Sequence, residues 1–409
     1  MARLAARQLL TYKVERGNIT DESIANRSDR SGRYCPRLFI KPAEVSGRRG
    51  VVRLCLPHAG EGTGQKGRVR LRKAYATGDE LLQDPEVDLV LNLTTPAAHY
   101  SYNIAALRAG KHVYSEKPLA ATFAEGQEIM KTAAEKGLYV GCAPDTFMGA
   151  RLQTFRRLMD EGVTGQIVAG TANCVSHGWE WYHPSPAFFY QKGAGPVLDI
   201  GPYYMTALLS LLGPVESVCA MGVQPQKERM IYSEPMKGQM LQVDQDIMTS
   251  LSAVLKFRSG AVISYNMIWD AWDSVMPRLE LYGTKATLVM ADEDPNQGPN
   301  IFGGDTLVKN AETYRWKNMP RHEGDEDIPW EIAEVKHDFA ATSFVTNDRG
   351  IGLIDIVHAI EEGRPCRASG AMALHMLEVS EAILISAKEN RYVQVNTTFE
   401  RPEAMPQRD

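Results

Sequence analysis

Between Val87 and Leu93 the chain is apolar on both faces, with Asp88 and Asn92 near the ends. That pattern predicts a strand buried inside a parallel sheet. Thr94-Thr95-Pro96 stops it. Ile104, Ala105, Leu107 and Ala109 then recur at helical spacing, and Gly110 sits where a left-handed cap ends a helix. His112 to Tyr114 gives a second, short strand. Strand, helix and strand with tight joints make a βαβ unit. Its right-handed crossover places residues 94 to 99 and Glu116-Lys117-Pro118 on one carboxyl edge, where open α/β sheets bind ligands.

The pattern stays regular downstream. Asp79 is expected to cap a short helix through Leu82, and Thr122-Phe123-Ala124-Glu125 reads as a capping box opening a helix that ends at Lys136-Gly137. Leu138 to Cys142 closes the first sheet, and a helix from Gly149 to Glu161 leads into a second domain. There, Ile167 to Ala172, Val215 to Met221, Ile247 to Phe257, Ala261 to Trp269 and Arg278 to Tyr282 read as strands. Several alternate between apolar and polar residues, as an antiparallel sheet covered on one face requires. Ile351 to Glu362 and about 371 to 388 are helical, the latter with Leu374, Leu377, Leu384 and Ile385 on one side. The division expected is residues 1–146 and 147–409, since 409 residues exceed one simple core.

Composition narrows the class. With 44% hydrophobic and 23% charged residues the chain is an ordinary globular protein. No apolar run approaches the ~18 to 20 residues of a membrane helix and no signal-peptide core follows Met1, so no membrane partner is expected. Cys35, Cys55, Cys142, Cys174, Cys219 and Cys366 lack paired spacing and read as reduced thiols of a cytoplasmic protein. Residues 1–73 hold 17 Lys and Arg against 6 Asp and Glu, a net of +11 that leaves −16 for the rest. This basic stretch has neither clustered aromatics nor a clean amphipathic helix, so neither nucleic acid nor a transit role is assigned to it.

The strand ending Thr95-Pro96 with His99 after it, the run Ala109-Gly110-Lys111-His112-Val113-Tyr114-Ser115-Glu116-Lys117-Pro118, and Gly193-Ala194-Gly195-Pro196-Val197-Leu198-Asp199-Ile200-Gly201 resemble the glucose-fructose oxidoreductase, inositol dehydrogenase and MocA family. The resemblance runs from about residue 72 to the C-terminus. It implies an α/β protein with an N-terminal Rossmann-type parallel sheet and a C-terminal α+β domain carrying a large, mostly antiparallel sheet. It implies NAD or NADP as cofactor, a sugar, inositol or related polyol as substrate, and a homo-oligomer. On the same resemblance Thr94, Thr95, Pro96, His99, Glu116, Lys117 and Pro118 are expected to hold the cofactor, and Lys117, Asp199 and Tyr203 to be catalytic.

Chemistry agrees with those residue types. Hydride transfer from a carbinol needs a proton acceptor and a charge to stabilise the developing alkoxide. Lys117 at a sheet edge suits the second need, although by spacing alone it would read as a surface lysine. Asp199 can orient a hydroxyl or serve only as a helix cap. Many relatives carry histidine four residues after that aspartate, whereas this chain has Tyr203, with Tyr204 beside it. An ordinary tyrosine pKa near ~10 makes a poor base at neutral pH unless a cation lowers it. Tyr203 thus reads equally as a base or as a wall of the pocket.

The stretch Cys174-Val175-Ser176-His177-Gly178-Trp179-Glu180-Trp181-Tyr182-His183-Pro184 is dense in indoles and imidazoles. Trp179 and Trp181 suit stacking on a sugar face and His183 hydrogen bonding to it, and plain loop packing accounts for the rings as well. As zinc ligands Cys174, His177 and His183 lack a fourth partner, so no metal is expected. Two other readings stand beside the dehydrogenase: an NAD-dependent glycoside hydrolase, and a non-catalytic chain that has lost dinucleotide binding.

The opening supports that last reading. A family member should begin with a strand, a Gly-rich turn, a helix, a second strand and an acidic residue for the ribose. Tyr12-Lys13-Val14 and Gly17-Asn18-Ile19 are fragments of such an opening. Gly62-Thr63-Gly64-Gln65-Lys66-Gly67 matches GxGxxG after a candidate strand Val51 to Leu56, but no helical pattern follows it. Back-translation of Lys41 to Arg70 in the second codon frame permits a helix end, a strand and a helix that run straight into Leu71-Arg72-Lys73-Ala74-Tyr75. Residues 15 to 70 are therefore expected to be aberrant, in part read out of frame.

Overall fold

The computed structural model describes residues 9–15, 49–55, 75, 77–290, 306–311, 330–337 and 350–407, the first two stretches as backbone. In chain order these form β1 (Leu9–Glu15), β2 (Arg49–Cys55), α1 (Gly78–Gln83), β3 (Leu89–Asn92), α2 (Pro96–Arg108), β4 (His112–Ser115), α3 (Phe123–Lys136) and β5 (Val140–Cys142). Then come α4 (Ala150–Asp160), β6 (Ile167–Val175), α5 (Pro196–Asp199), α6 (Gly201–Leu212), β7 (Val215–Val223), β8 (Glu228–Met230), β9 (Met240–Gln242), β10 (Ser250–Phe257) and β11 (Val262–Ile268). The remainder is β12 (Leu279–Gly283), β13 (Ala286–Met290), β14 (Thr306–Asn310), β15 (Glu331–Ile332), α7 (Ile351–Glu362), α8 (Gly370–Glu389) and β16 (Val393–Gln394).

Two compact units result, and they are not consecutive halves. The first takes in Met1–Asp145, Asp348–Glu381 and Thr397–Pro402, and the second Thr146–Asn347, Ala382–Asn396 and Glu403–Asp409. A cut at residue 146 leaves α7 and the start of α8 with the wrong partners. The Gly352 amide of α7 donates to buried Asp145, and Leu374 and Leu377 of α8 crowd Gly126 on α3.

The first unit holds a five-stranded sheet in the order β2-β1-β3-β4-β5. β3, β4 and β5 are parallel, and every residue of β3 is buried, as its unbroken apolar run predicts. The βαβ unit forms as read, with Gly110 at φ +78° just past α2. β1 departs from the Rossmann-type expectation by running antiparallel to β3, with Leu9 beside Asn92 and Tyr12 beside Leu89. A parallel return needs a crossover, and no amphipathic helix pattern follows Glu15 in the sequence. β2, antiparallel to β1, comes back parallel to β3, and Cys55 stands level with Leu9 and Asn92. Gly17-Asn18-Ile19, the Gly62 to Gly67 motif and most of the stretch 15 to 70 lie outside the described residues.

The second unit is built on a nine-stranded sheet, β15-β14-β13-β12-β6-β11-β10-β7-β16, in which only the β6–β11 pair is parallel. Along β10, Leu251, Ala253, Leu255 and Phe257 are buried while Ser252, Val254 and Lys256 face outward. That alternation of period two is what a sheet covered on one face requires. A separate hairpin joins β8 to β9.

Two smaller expectations change. Thr77, not Asp79, caps α1, its side chain accepting from the Glu80 amide at 3.2 Å. The final helix, α8, is apolar on more than one side, with Ile385 37% exposed and His375 fully buried. By length and composition it is apolar enough to cross a membrane, with mean hydropathy 1.3, yet 67% of that stretch is buried in the protein. The capping box at Thr122 and Glu125 forms as predicted, reciprocal bonds included. Thr122→Ala should lower stability by about 1 kcal/mol, read as a shift of the urea midpoint with unchanged slope.

Candidate functional site

In the first unit a buried polar network fixes the carboxyl edge. Asn92, the last residue of β3, is fully buried, and its Oδ1 accepts from the amide and hydroxyl of Thr94 at 3.1 and 2.7 Å. Its Nδ2 donates to Asn103 Oδ1 on α2 at 2.8 Å. Asn103 in turn donates to Ser115 Oγ and the Leu119 carbonyl, both at 3.1 Å. The ends of β3 and β4 and the loop after Lys117 are thus tied to one helix. Each buried amide is satisfied, which removes the desolvation penalty it would otherwise carry.

His99 completes the tie. Its ring is fully buried, with Nδ1 2.6 Å from the Pro118 carbonyl and Nε2 2.9 Å from the Thr94 carbonyl. Burial lowers its pKa, and the two carbonyls pull the other way. A neutral imidazole can donate to only one of them. With no exposed atom, His99 acts on any ligand through the loops it clamps. Thr94 is buried too, while Thr95 and Pro96 are exposed at the start of α2, where Thr95 makes no side-chain capping bond. Glu116 and Lys117 are half-buried at the end of β4, with Glu116 Oε2 accepting from the Lys117 amide at 3.0 Å. The Lys117–Pro118 peptide is cis.

In the second unit Asp199 ends the short helix α5, reached through Gly193 and Gly195 at φ +86° and +89°. Only glycine enters that conformation without strain. Asp199 Oδ2 accepts the Trp179 indole N–H at 2.7 Å. Trp179 stacks on Phe189 with ring centres 4.8 Å apart, and its carbonyl accepts from the His183 amide at 2.8 Å. His183 sits edge-on to Phe189 and accepts from the Ser185 amide through Nδ1 at 3.1 Å. Its neutral form therefore carries the proton on Nε2. Burial lowers its pKa, and the Asp199 charge opposes that shift. Tyr203 is half-buried in the first turn of α6, and Tyr204 beside it is fully buried.

This aromatic loop hangs on a buried ion cluster. Arg229, from β8, donates through Nε to Glu180 at 2.7 Å and through Nη1 to Asp270 at 2.6 Å, and its Nη2 reaches the carbonyls of His177 and Trp269. Glu180 and Arg229 are 1% and 2% exposed. Tyr190 hydrogen-bonds Glu180 as well. Gly178, at φ +86°, lets the chain pass against the Tyr190 hydroxyl, where any Cβ would collide. The loop is thereby fixed from beneath while Trp181 stays 49% exposed and stacks on Tyr232.

Beside it lies a cavity of about 440 Å³ whose walls include Asn173, Ser176, Trp179, Tyr182, Trp269 and Arg278. Of the residues expected from the sequence, Trp179 lines it, and Trp181, His183, Asp199 and Tyr203 do not. Cys174 also faces the cavity, and burial pushes its thiol up to about 12. His177 stacks on Trp272 at 3.7 Å. Among the described residues no three His, Cys, Asp or Glu side chains converge as a metal site. Sequence reasoning missed Asn103, Arg229 and Asp270. Asn103 carried one signal, an amide within an apolar helical pattern; the other two lie 49 and 41 residues apart from their partners and carried none.

Comparison with known proteins fits this architecture. Residues 52–143 match the oxidoreductase family with an NAD-binding Rossmann fold, and residues 152–289 match the GFO/IDH/MocA C-terminal domain. The chain belongs to the GFO/IDH/MocA oxidoreductase family. It is 23% identical to the scyllo-inositol 2-dehydrogenase (NADP(+)) of Bacillus subtilis over 325 residues, which is 78% of this chain and 81% of that protein. Among solved structures it resembles an NAD binding oxidoreductase from Klebsiella pneumoniae, with TM-score 0.67 and 22% identity over 84% of this chain and 89% of the other. A levoglucosan dehydrogenase in complex with NADH and L-sorbose gives 0.65 and 20% over the same shares. These likenesses establish the fold.

Replacing Arg229 by Met should cost about 3–5 kcal/mol, because the Glu180 carboxylate stays buried without its counter-charge. Denaturant unfolding of the variant measures it, and a cost under 1 kcal/mol would mean that the cluster does not hold the loop. Gly201→Ala should also destabilise, by about 1–3 kcal/mol. A Cβ there would lie 2.6 Å from the hydroxyl of buried Tyr265, which donates to the Gly201 carbonyl.

Proposed function

We propose that the protein is an NAD(P)-dependent oxidoreductase that moves a hydride between a nicotinamide cofactor and a sugar, inositol or related polyol. The observation that carries this reading is the half-buried Lys117, held at the carboxyl edge of a parallel sheet by the Asn92–Asn103–His99 network. Family membership supplies the reaction class. The names of relatives, an inositol dehydrogenase and a levoglucosan dehydrogenase, supply the substrate class.

The described residues fit one end of the cofactor better than the other. Exposed Thr95 and Pro96 open the positive end of α2 on the same edge as Lys117, a setting that suits a ribose and its neighbouring phosphate. β1 does not fit the pyrophosphate end, since its reversed direction carries Glu15 to the opposite edge. β2 is the strand that ends on the carboxyl side. A bound nicotinamide would supply the acceptor for the hydride of the carbinol carbon. Lys117 would supply the positive charge that stabilises the alkoxide as the hydroxyl loses its proton and before the hydride leaves, and Thr95 and Pro96 would hold the ribose. Asp199, fixed by the Trp179 indole, serves as an oriented acceptor for a hydroxyl or for the group that takes its proton. Tyr203 stands in the first turn of α6 as the candidate base in place of the usual histidine.

A fluorescence titration of the purified chain with NADH and with NADPH tests the reading directly. Saturable binding of either should be followed by turnover in a polyol screen. A folded chain that binds neither nucleotide would replace this reading with the non-catalytic one, which the reversed β1 favours. Lys117→Ala should lower kcat by about 10²- to 10⁴-fold with an unchanged circular dichroism spectrum, and near-normal turnover would remove Lys117 from its role.

A further inference from the structure

The cavity of the second unit lies beside an indole that faces water. Its volume of about 440 Å³ falls in the ~300–1,000 Å³ range of small-ligand sites. Ser176 and Gly178 line it from one segment, and Asp273, Ser274 and Met276 from another. A ring pair bridges the two segments at the rim, His177 stacking on Trp272 with centres 3.7 Å apart and planes 16° from parallel. Trp272 is nevertheless 73% exposed, so one face rests on the imidazole and the other is open to solvent. Trp181 meets it edge to face at 6.2 Å. The residue after Trp181, Tyr182, is exposed as well and belongs to the cavity wall.

The loop that presents Trp272 is held at both ends. Asp270 accepts from Arg229, Thr249 and Ser250, and the Ala271 amide donates to the Ser176 carbonyl at 3.1 Å. At the far end the Pro277 carbonyl accepts from Asn173 Nδ2 at 2.7 Å. Between them the Ser274 amide donates to Asp273 Oδ1 at 2.7 Å, and the Met276 amide to Ser274 Oγ at 3.1 Å. The indole is therefore a placed platform. Asp273 follows it directly, is exposed, and receives no donor on its second oxygen among the described residues.

Contiguous exposed apolar surface with a polar border marks a binding surface. A pyranose ring offers a C–H face and, at its edge, hydroxyl donors. A flat indole matches the first, and a carboxylate oxygen beside it accepts from the second. The same carboxylate counts against an anionic partner such as a lipid surface or a nucleic acid.

We propose that this rim is an outer sugar subsite, in which Trp272 and Asp273 take the second ring of a disaccharide or glycoside whose first ring lies in the cavity. The inference rests on the oxidoreductase reading for the sugar class and adds the size of the sugar. Trp272 and Asp273 set specificity and take no part in the hydride step.

Isothermal titration calorimetry on the full chain tests it, a readout that does not depend on the fluorescence of Trp272 itself. Cellobiose, maltose, lactose and trehalose are compared with D-glucose and D-galactose, with and without NADH. At least one disaccharide should bind roughly tenfold more tightly than its component sugars. Trp272→Ala should remove that advantage, Trp272→Phe should keep part of it, and Asp273→Asn should lower it. Equal binding of disaccharides and monosaccharides by the unmodified chain would overturn the inference and leave the polyol reading standing. Binding of neither kind would overturn both. Loss of both kinds together in Trp272→Ala would make the ring a structural part of the wall and would also overturn it. Sedimentation of the same two proteins checks the rival occupant, since an oligomer that Trp272→Ala dissociates would give this face to a second copy and overturn the sugar subsite. If that variant does not fold, the preference of the unmodified chain and its reduction in Asp273→Asn decide.

Discussion

The candidate catalytic edge depends on a handful of buried amide hydrogen bonds. Asn92 and Asn103 lie where no water can satisfy them, so each must find its partner inside the protein. Their partners belong to the end of one strand, the middle of one helix and the loop that follows a second strand. Satisfying the donors and acceptors therefore fixes three chain segments at once. An apolar core holds secondary structure together but tolerates sliding, whereas a directional network admits one arrangement. The half-buried lysine inherits its position from that arrangement.

The second unit solves a similar problem with charge. A buried arginine binds two carboxylates and two backbone carbonyls, and the chain between His177 and Trp269 is gathered around it. Such a cluster gains little net stability over apolar packing, but it is unforgiving of partial removal. It gives a loop rich in rings, which would otherwise collapse in many ways, a single conformation.

Much of the fold was legible in the sequence because it follows from local periodicity. The strand at 89–92, the capping box at Thr122, the helix from Ile351 and the alternation along β10 each declare themselves within ten residues or so. Lys117 and Asp199 stood out as candidates through motif context, and Trp179, which donates to Asp199, through the density of aromatic residues around it. What stayed hidden was long-range. Arg229 carries no local signal, and only β8 brings it to Glu180 and Asp270. The direction of β1 was hidden for a different reason. Strand propensity says that a segment extends, and only the connection after it says which way the neighbour runs.

The ion cluster has a consequence for how such a pocket can change over time. Within Trp179-Glu180-Trp181, the middle residue is anchored in the interior while the ring after it is half exposed on Tyr232. Anchor and display are thus separate residues on one short turn. Exposed rings can be exchanged for others of different size or polarity without disturbing the buried glutamate that sets the turn. A lineage that keeps Glu180, Arg229 and Asp270 can therefore explore new ligands by varying a few outward positions, while its fold stays constant.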